Sequence, residues 1–268
     1  MGTILKNRLS IFLIAYYLLL FAWWIFIFVS GSKDGFQNNL FGALYAVIPV
    51  VGGIYGLIVA RRWGGWSSVI GRGISFLSLG LLAFAFGQFA WSYYNMVLKV
   101  EVPYPSVADI GYVSTIPLYF LGMFLFAKAA GAKYGFRILS RRFVVAIIPI
   151  ITLGFSYWVF LRGYEFDFSN PLRILIDFGY PLGQALTISV ALVALLLSKG
   201  FLGGIMKLKI QFLIFALAFQ YITDFYFLYG VSLGTYYNAG PTDLMYATSF
   251  LIMSLGLISF NRVEEHQS

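Results

Sequence analysis

Residues 11–29 read IFLIAYYLLLFAWWIFIFV, nineteen successive apolar or aromatic positions with no charge among them. A bilayer core about 30 Å thick is crossed by roughly 20 residues of helix, so a run of this length is a transmembrane helix and not the core helix of a soluble domain. Lys6 and Arg8 stand before it as in a secretory signal. The run is longer than a signal's apolar region and no small-residue cleavage site follows, so it is expected to be retained. Seven further stretches of the same character lie at residues 40–60, 74–96, 107–130, 143–161, 171–197, 210–229 and 241–260. The expected fold is an all-α integral membrane protein with eight transmembrane helices.

Composition agrees. Of 268 residues, 60% are hydrophobic, 20% aromatic and 10% charged, against roughly 25% charged in a soluble domain. The formal charge of +8 is not a nucleic-acid signal, because a basic patch needs a solvated face and little polar surface is left to make one. The lipid bilayer is the expected partner. With no cysteine, disulfides, thiolate metal sites, Cys nucleophiles and palmitoylation are excluded. The one histidine, His266, lies in the tail beyond the last expected span, outside any place where a buried catalyst, haem ligand or proton shuttle would sit. Met1-Gly2 opens like a myristoylation signal, but Lys6 stands where Ser or Thr is required. No metal and no cofactor is expected.

The charges sort by side. Lys6, Arg8, Arg61, Arg62, Arg72, Lys128, Lys133, Arg137, Arg141, Arg142, Lys199, Lys207, Lys209 and Arg262 fall on the N-terminal segment, the even-numbered connections and the tail. Lys33, Lys99, Arg162 and Arg173 fall on the other side. The positive-inside rule then puts both termini in the cytoplasm, in a plasma (inner) membrane. Most acids lie on or near the outer side: Asp34, Glu101, Asp109, Glu165, Asp167, Asp177, Asp224 and Asp243.

Four spans per half, residues 1–134 and 135–268, invite comparison of the halves, because an even count gives parallel repeats. PYPSVADIGY at 103–112 lies half a chain before YNAGPTDLMY at 237–246, and both end in Asp-x-x-Y: Asp109 with Tyr112, Asp243 with Tyr246. Gln88 and Trp91 can be set against Asp224 and Phe227 with a two-residue shift, and Pro49 and Pro181 sit at similar depth. An internal duplication is expected.

Outer helix starts carry readable chemistry. Ser106 can cap a helix with Asp109 three residues on, the spacing of a capping box, and Gly240-Pro241-Thr242-Asp243 places Pro at the first helical position and an acid at the third. Asp109 and Asp243 therefore read either as caps favoured by the helix dipole or as ligand contacts. Asp177 and Asp224 lie about 8–9 Å inside their helix ends at ~1.5 Å per residue, where a carboxylate should face the bundle or a wet cavity. Asp177 has Arg173 one turn away; Asp224 has no basic residue near it in sequence. These acids, with the outer aromatics, can line an outward-opening pocket suited to a cationic or hydrogen-bonding small molecule. The candidate ligand-binding residues are Gln88, Trp91, Asp109, Tyr112, Asp177, Gln184, Asp224, Asp243 and Tyr246. Gly52 and Gly56 form a GxxxG, which leaves the oligomeric state open. GGWSSVIGRG at 64–73 lacks the Lys-Ser/Thr of a phosphate loop and reads as a basic connection touching anionic headgroups.

Three pieces, GQFAW at 87–91, PYPSVADIGY at 103–112 followed by Ile116-Pro117-Leu118 and Gly122, and GYPLGQ at 179–184, together resemble the multi-span membrane region N-terminal to many bacterial diguanylate cyclases and some sensor kinases. The resemblance covers the third to eighth spans, and P-x-P-S-x-A-D is its most specific piece. It implies a sensory module that passes a signal to a cytoplasmic output domain, with Trp91, Pro105, Ser106, Asp109, Tyr112, Pro181 and Asp224 at pattern positions. Two acids of the pattern are Gln88 and Gln184 here. Eight residues follow the last expected span, so the output protein is expected on a separate chain, or the signal is carried by assembly. The leading expectation is a sensor or receptor-like module and not an enzyme. The rivals are a small secondary transporter with Asp177 and Asp224 as coupling acids and, third, a lipid-modifying membrane enzyme.

Overall fold

A computed structural model describes residues 7–129, 139–198 and 204–261. The expected boundary between the halves at residue 134 lies outside the described residues, as do Lys6, Lys133, Arg137, Lys199, Arg262 and His266. Among the described residues the chain is helical, with no strand. Its helices are α1 (Arg8–Val29), α2 (Phe36–Tyr45), α3 (Val47–Arg62), α4 (Val69–Tyr93), α5 (Val107–Ala129), α6 (Leu139–Ser156), α7 (Pro171–Ser198), α8 (Gly204–Ser232) and α9 (Pro241–Ile258). Among the described residues, seven stretches are long and apolar enough to cross a membrane: Arg8–Val29, Phe36–Arg62, Val69–Leu98, Val107–Ala129, Pro171–Leu195, Leu208–Ser232 and Pro241–Asn261. The remaining expected span, 143–161, is formed by α6 and the π turn Tyr157–Leu161, and its apolar part Ala146–Leu161 is shorter.

Local sequence explains the breaks. Proline has no N–H and its ring crowds the carbonyl four residues back, and α2 ends at Tyr45, four residues before Pro49. Ser68 caps α4 by accepting from Gly71 N–H at 2.8 Å. The glycine-rich stretch before α4 is thus a turn and cap, with Gly64 at φ +83°, and not a phosphate cradle.

Six helices close a ring. Each packs on the next in the order α3, α4, α5, α7, α8, α9, and α9 returns to α3. Outside it, α1 packs on α9 and α2, and α6 on α7. The last span is the most buried and the first the least, so α9 is central and α1 presents Leu18, Leu19, Phe26 and Val29 outward. Within lipid no hydrophobic force drives helices together, and close packing of small residues takes its place. Gly111 of α5 lies against the backbone of Gly87 in α4 so closely that an added Cβ would sit 2.5 Å from Gly87 N. Gly52 and Gly56 of the GxxxG face Ser254 of α9 and Ser78 of α4, so this motif is spent on contacts within the chain. Aromatic side chains fill the ring: Phe84 lies 4.2 Å from Phe250 and 5.2 Å from Tyr246, centroid to centroid.

Candidate ligand-binding site

The connections between α1 and α2, α4 and α5, α6 and α7, and α8 and α9 gather at one end, and the nine candidate residues form separate hydrogen-bonded groups there and just below. The first is built on the segment before α9. Asp243, fully buried, accepts from Ala239 N–H at 2.7 Å and from the Tyr236 hydroxyl at 3.1 Å. Ala239 has φ +59°, a conformation in which a residue with a side chain is strained, and the bond from Asp243 holds it there. Asn238 ties the same segment to three neighbours. Its Oδ1 accepts from Trp91 Nε1 at 3.1 Å and from Tyr236 at 3.2 Å, and its Nδ2 donates to Asn39 Oδ1 at 2.7 Å. Asn38 donates to the Asn238 carbonyl at 2.9 Å, and Trp24 Nε1 donates to the Ala239 carbonyl at 3.0 Å. One short connection is thus latched to α1, α2, α4 and α9. Burial, then the charge of Asp243, push the Tyr236 phenol well above its usual range.

The second group lies deeper. Asp224 is 9% exposed and accepts from Gln220 Nε2 at 3.1 Å and from the Tyr246 hydroxyl at 2.9 Å. Gln220 Oε1 in turn accepts from the Ser249 hydroxyl at 2.5 Å. Gln184 faces the same carboxylate, and with Ser156, Tyr221 and Asp224 it lines a cavity of about 10 Å³, room for about one water. Neither Asp224 nor Asp243 has a cationic partner among the described residues; hydrogen bonds alone compensate their removal from water.

At the rim, two tyrosine–aspartate bonds cross between the start of α5 and α7. Tyr180 donates to Asp109 at 2.7 Å, and Tyr104 donates to Asp177 at 2.5 Å. Asp109 also accepts from Ser106 N–H at 2.7 Å, which is the capping box. Asp177 takes a second bond from Tyr164 at 2.6 Å and has Arg173 Nε at 3.7 Å. Burial, then the bond to Asp177, push the Tyr104 phenol up; the bond to the same carboxylate raises Tyr164. Gln88 stands apart from Asp224 and Asp243: Tyr112 donates to its Oε1 at 2.8 Å, while its buried Nε2 and the Ser92 hydroxyl one turn on have no partner among the described residues.

A second cavity lies elsewhere. A cleft of about 330 Å³ opens at the same end of the bundle between the close of α8 and the start of α9, walled by Tyr226, Tyr229, Tyr236 and Tyr237 with Lys33, Leu233, Thr235, Pro241 and Thr242. None of the nine candidates lines it, and its charged lining residue is Lys33; Gln184 and Asp224 line the smaller cavity instead. Asp243 and Asp224 turn inward to buried donors, while Asp177 stays at the rim. Sequence reasoning also missed Asn38, Asn39, Asn238 and Gln220. Asn38 and Asn39 sit in the first turn of α2 and Asn238 in a turn, places where Asn is common for its own backbone reasons, so the one available signal was a polar pair at the mouth of an apolar span.

Comparison with family models, with curated proteins and with solved structures finds no match to this chain.

Proposed function

We propose that the chain is a multi-pass protein of the plasma (inner) membrane that binds a small ligand at its outer end and works as a sensor or receptor-like module. One observation carries this reading. Tyr236 stands in the wall of the cleft and also bonds to Asp243 and Asn238, so a ligand that displaces its ring disturbs a network tied to four helices. A cleft of this size, apolar-walled with a few polar groups, is the usual form of a small-molecule site. The signal then passes to a separate cytoplasmic output protein or into assembly.

The finer topology belongs to the same proposal: eight spans, two parallel four-helix repeats and both termini cytoplasmic. The distribution of Arg and Lys supports the orientation, and a seven-span path would put one basic cluster outside. The ring supports the repeat, since exchanging α3, α4 and α5 for α7, α8 and α9 reproduces its order of contacts. So does the paired chemistry of the two Asp-x-x-Y segments. Tyr112 of α5 donates to Gln88 on the preceding helix, and Tyr246 of α9 donates to Asp224 on the preceding helix.

A secondary transporter is the second reading, favoured by the water-sized cavity beside Asp224 and Gln184. Asp177 supports it less, being held by Tyr104, Tyr164 and Arg173. Proteoliposome flux separates the two. A sensor is expected to be stabilised thermally by its ligand without carrying it across, by about 2.7 kcal/mol at a hundredfold excess over the dissociation constant. Uptake that Asp224→Asn abolishes would sink the sensor reading.

A further inference from the structure

We propose that the outer cleft recognises an anion, a phosphate or carboxylate carried on an apolar or aromatic body. The inference deepens the ligand-binding reading and rests on it. Lys33 and several hydroxyls offer donors to the cleft, and no carboxylate lines it. Lys33 is its formal charge, and no ion pair involves Lys33 among the described residues. Its ammonium lies 5.8 Å from the centroid of the Tyr237 ring, a contact that holds the charge at the cleft without neutralising it. Thr242 is 4% exposed and lines the cleft, yet its hydroxyl makes no hydrogen bond among the described residues. The hydroxyls of Tyr226, Tyr229 and Tyr237 are likewise unbonded there.

The acids nearby are not among the cleft's lining residues. Asp34 accepts from Gly35 N–H at 2.7 Å, and Asp243 is turned to Ala239 and Tyr236 beneath the cleft floor. Asp243 already offsets the positive end of α9, so the attraction for an anion comes from Lys33 and the free hydroxyls. Tyrosine faces could draw a cation instead, but a second cation would meet Lys33 at the same ring. A charged oxygen meeting Lys33 and the Thr242 hydroxyl gains charge-assisted bonds, while the four rings bury the rest of the molecule.

Such an anion can come from solution or from a lipid headgroup, and one experiment covers both. The full chain is reconstituted in phosphatidylcholine vesicles, and tryptophan emission is followed as phenyl phosphate or benzyltrimethylammonium is added. Trp24 reports, because its indole N–H bonds to the carbonyls of Ala239 and Gly240 under the cleft. Phenyl phosphate is expected to give a saturable change. Lys33→Gln is expected to raise its dissociation constant about tenfold or more, the loss of one charge-assisted bond, with Lys33→Arg restoring most of the affinity. Lys33 lies in an exposed connection, so these changes do not threaten the fold. Competition by phosphatidylglycerol assigns the site to a headgroup and its absence to a soluble anion; both support anion recognition. Saturable binding of benzyltrimethylammonium but not phenyl phosphate overturns the anion and leaves the cleft a ligand site. Phenyl phosphate binding indifferent to Lys33→Gln also overturns it, and binding of neither probe overturns the ligand-binding reading as well.

Discussion

Gly111→Ala is expected to force α4 and α5 apart and to lower the unfolding free energy by about 3 kcal/mol, the upper range for overpacking a well-fitted contact. The new Cβ would stand 2.5 Å from Gly87 N and 2.8 Å from Gly87 Cα. Those are backbone atoms in the middle of a helix and cannot rotate away. The two helices form one edge of the ring, and Tyr112 and Gln88 bond across the same seam, so separation also breaks the polar contact beside it. Gly154 of α6 serves as control, since a Cβ there meets nothing within 4 Å. Gly154→Ala is expected to be neutral or to stabilise by up to about 1 kcal/mol through helix propensity. Thermal unfolding of the purified protein in detergent compares the three. Equal midpoints for Gly111→Ala and the wild type would show that the α4–α5 approach is not as close as described.

Asp243→Ala carries the second large effect. It strands the buried Ala239 N–H, at a cost of about 1–3 kcal/mol when left unpaired, and leaves the Tyr236 hydroxyl with Asn238 Oδ1 as its remaining acceptor. It also releases a residue held at φ +59° and, through Tyr236, the Asn238 bond to Trp91. A loss of about 3 kcal/mol is expected, together with a shift in tryptophan emission as Trp91 and Trp24 lose their partners. Asp243→Asn keeps one acceptor oxygen and is expected to recover part of the stability. Were Asp243→Ala as stable as the wild type with unchanged emission, the latch could not be what fixes the segment before α9.

Hydropathy made the helical stretches legible, because a membrane crossing must be long, apolar and helical to satisfy its backbone. Helix starts at Pro171 and Pro241 and the cap at Ser106 and Asp109 were legible from local chemistry, but the half-chain recurrence did not foretell that Tyr112 bonds to Gln88 and Tyr246 to Asp224. The break at Ala46 was not seen, although Pro49 causes it. The site was less legible, for a physical reason. An acid in an apolar segment reads as a ligand contact or a satisfied buried group with equal ease, and only coordinates reveal that Tyr236, Tyr246, Tyr180 and Tyr104 reach the carboxylates first. The cleft joins Lys33 to Thr242, residues far apart in the chain, and neither belongs to a motif. Their meeting depends on α1 packing on α9, which no local pattern encodes.

The central claim is an outward-facing cleft that serves as a ligand site, and a chain without cysteine allows a direct measurement. Leu233, an exposed residue of the cleft wall, is replaced in Leu233→Cys and treated with a membrane-impermeant maleimide in right-side-out vesicles. Labelling is predicted without permeabilisation, at a rate that phenyl phosphate slows. Labelling only after the membrane is opened would contradict it.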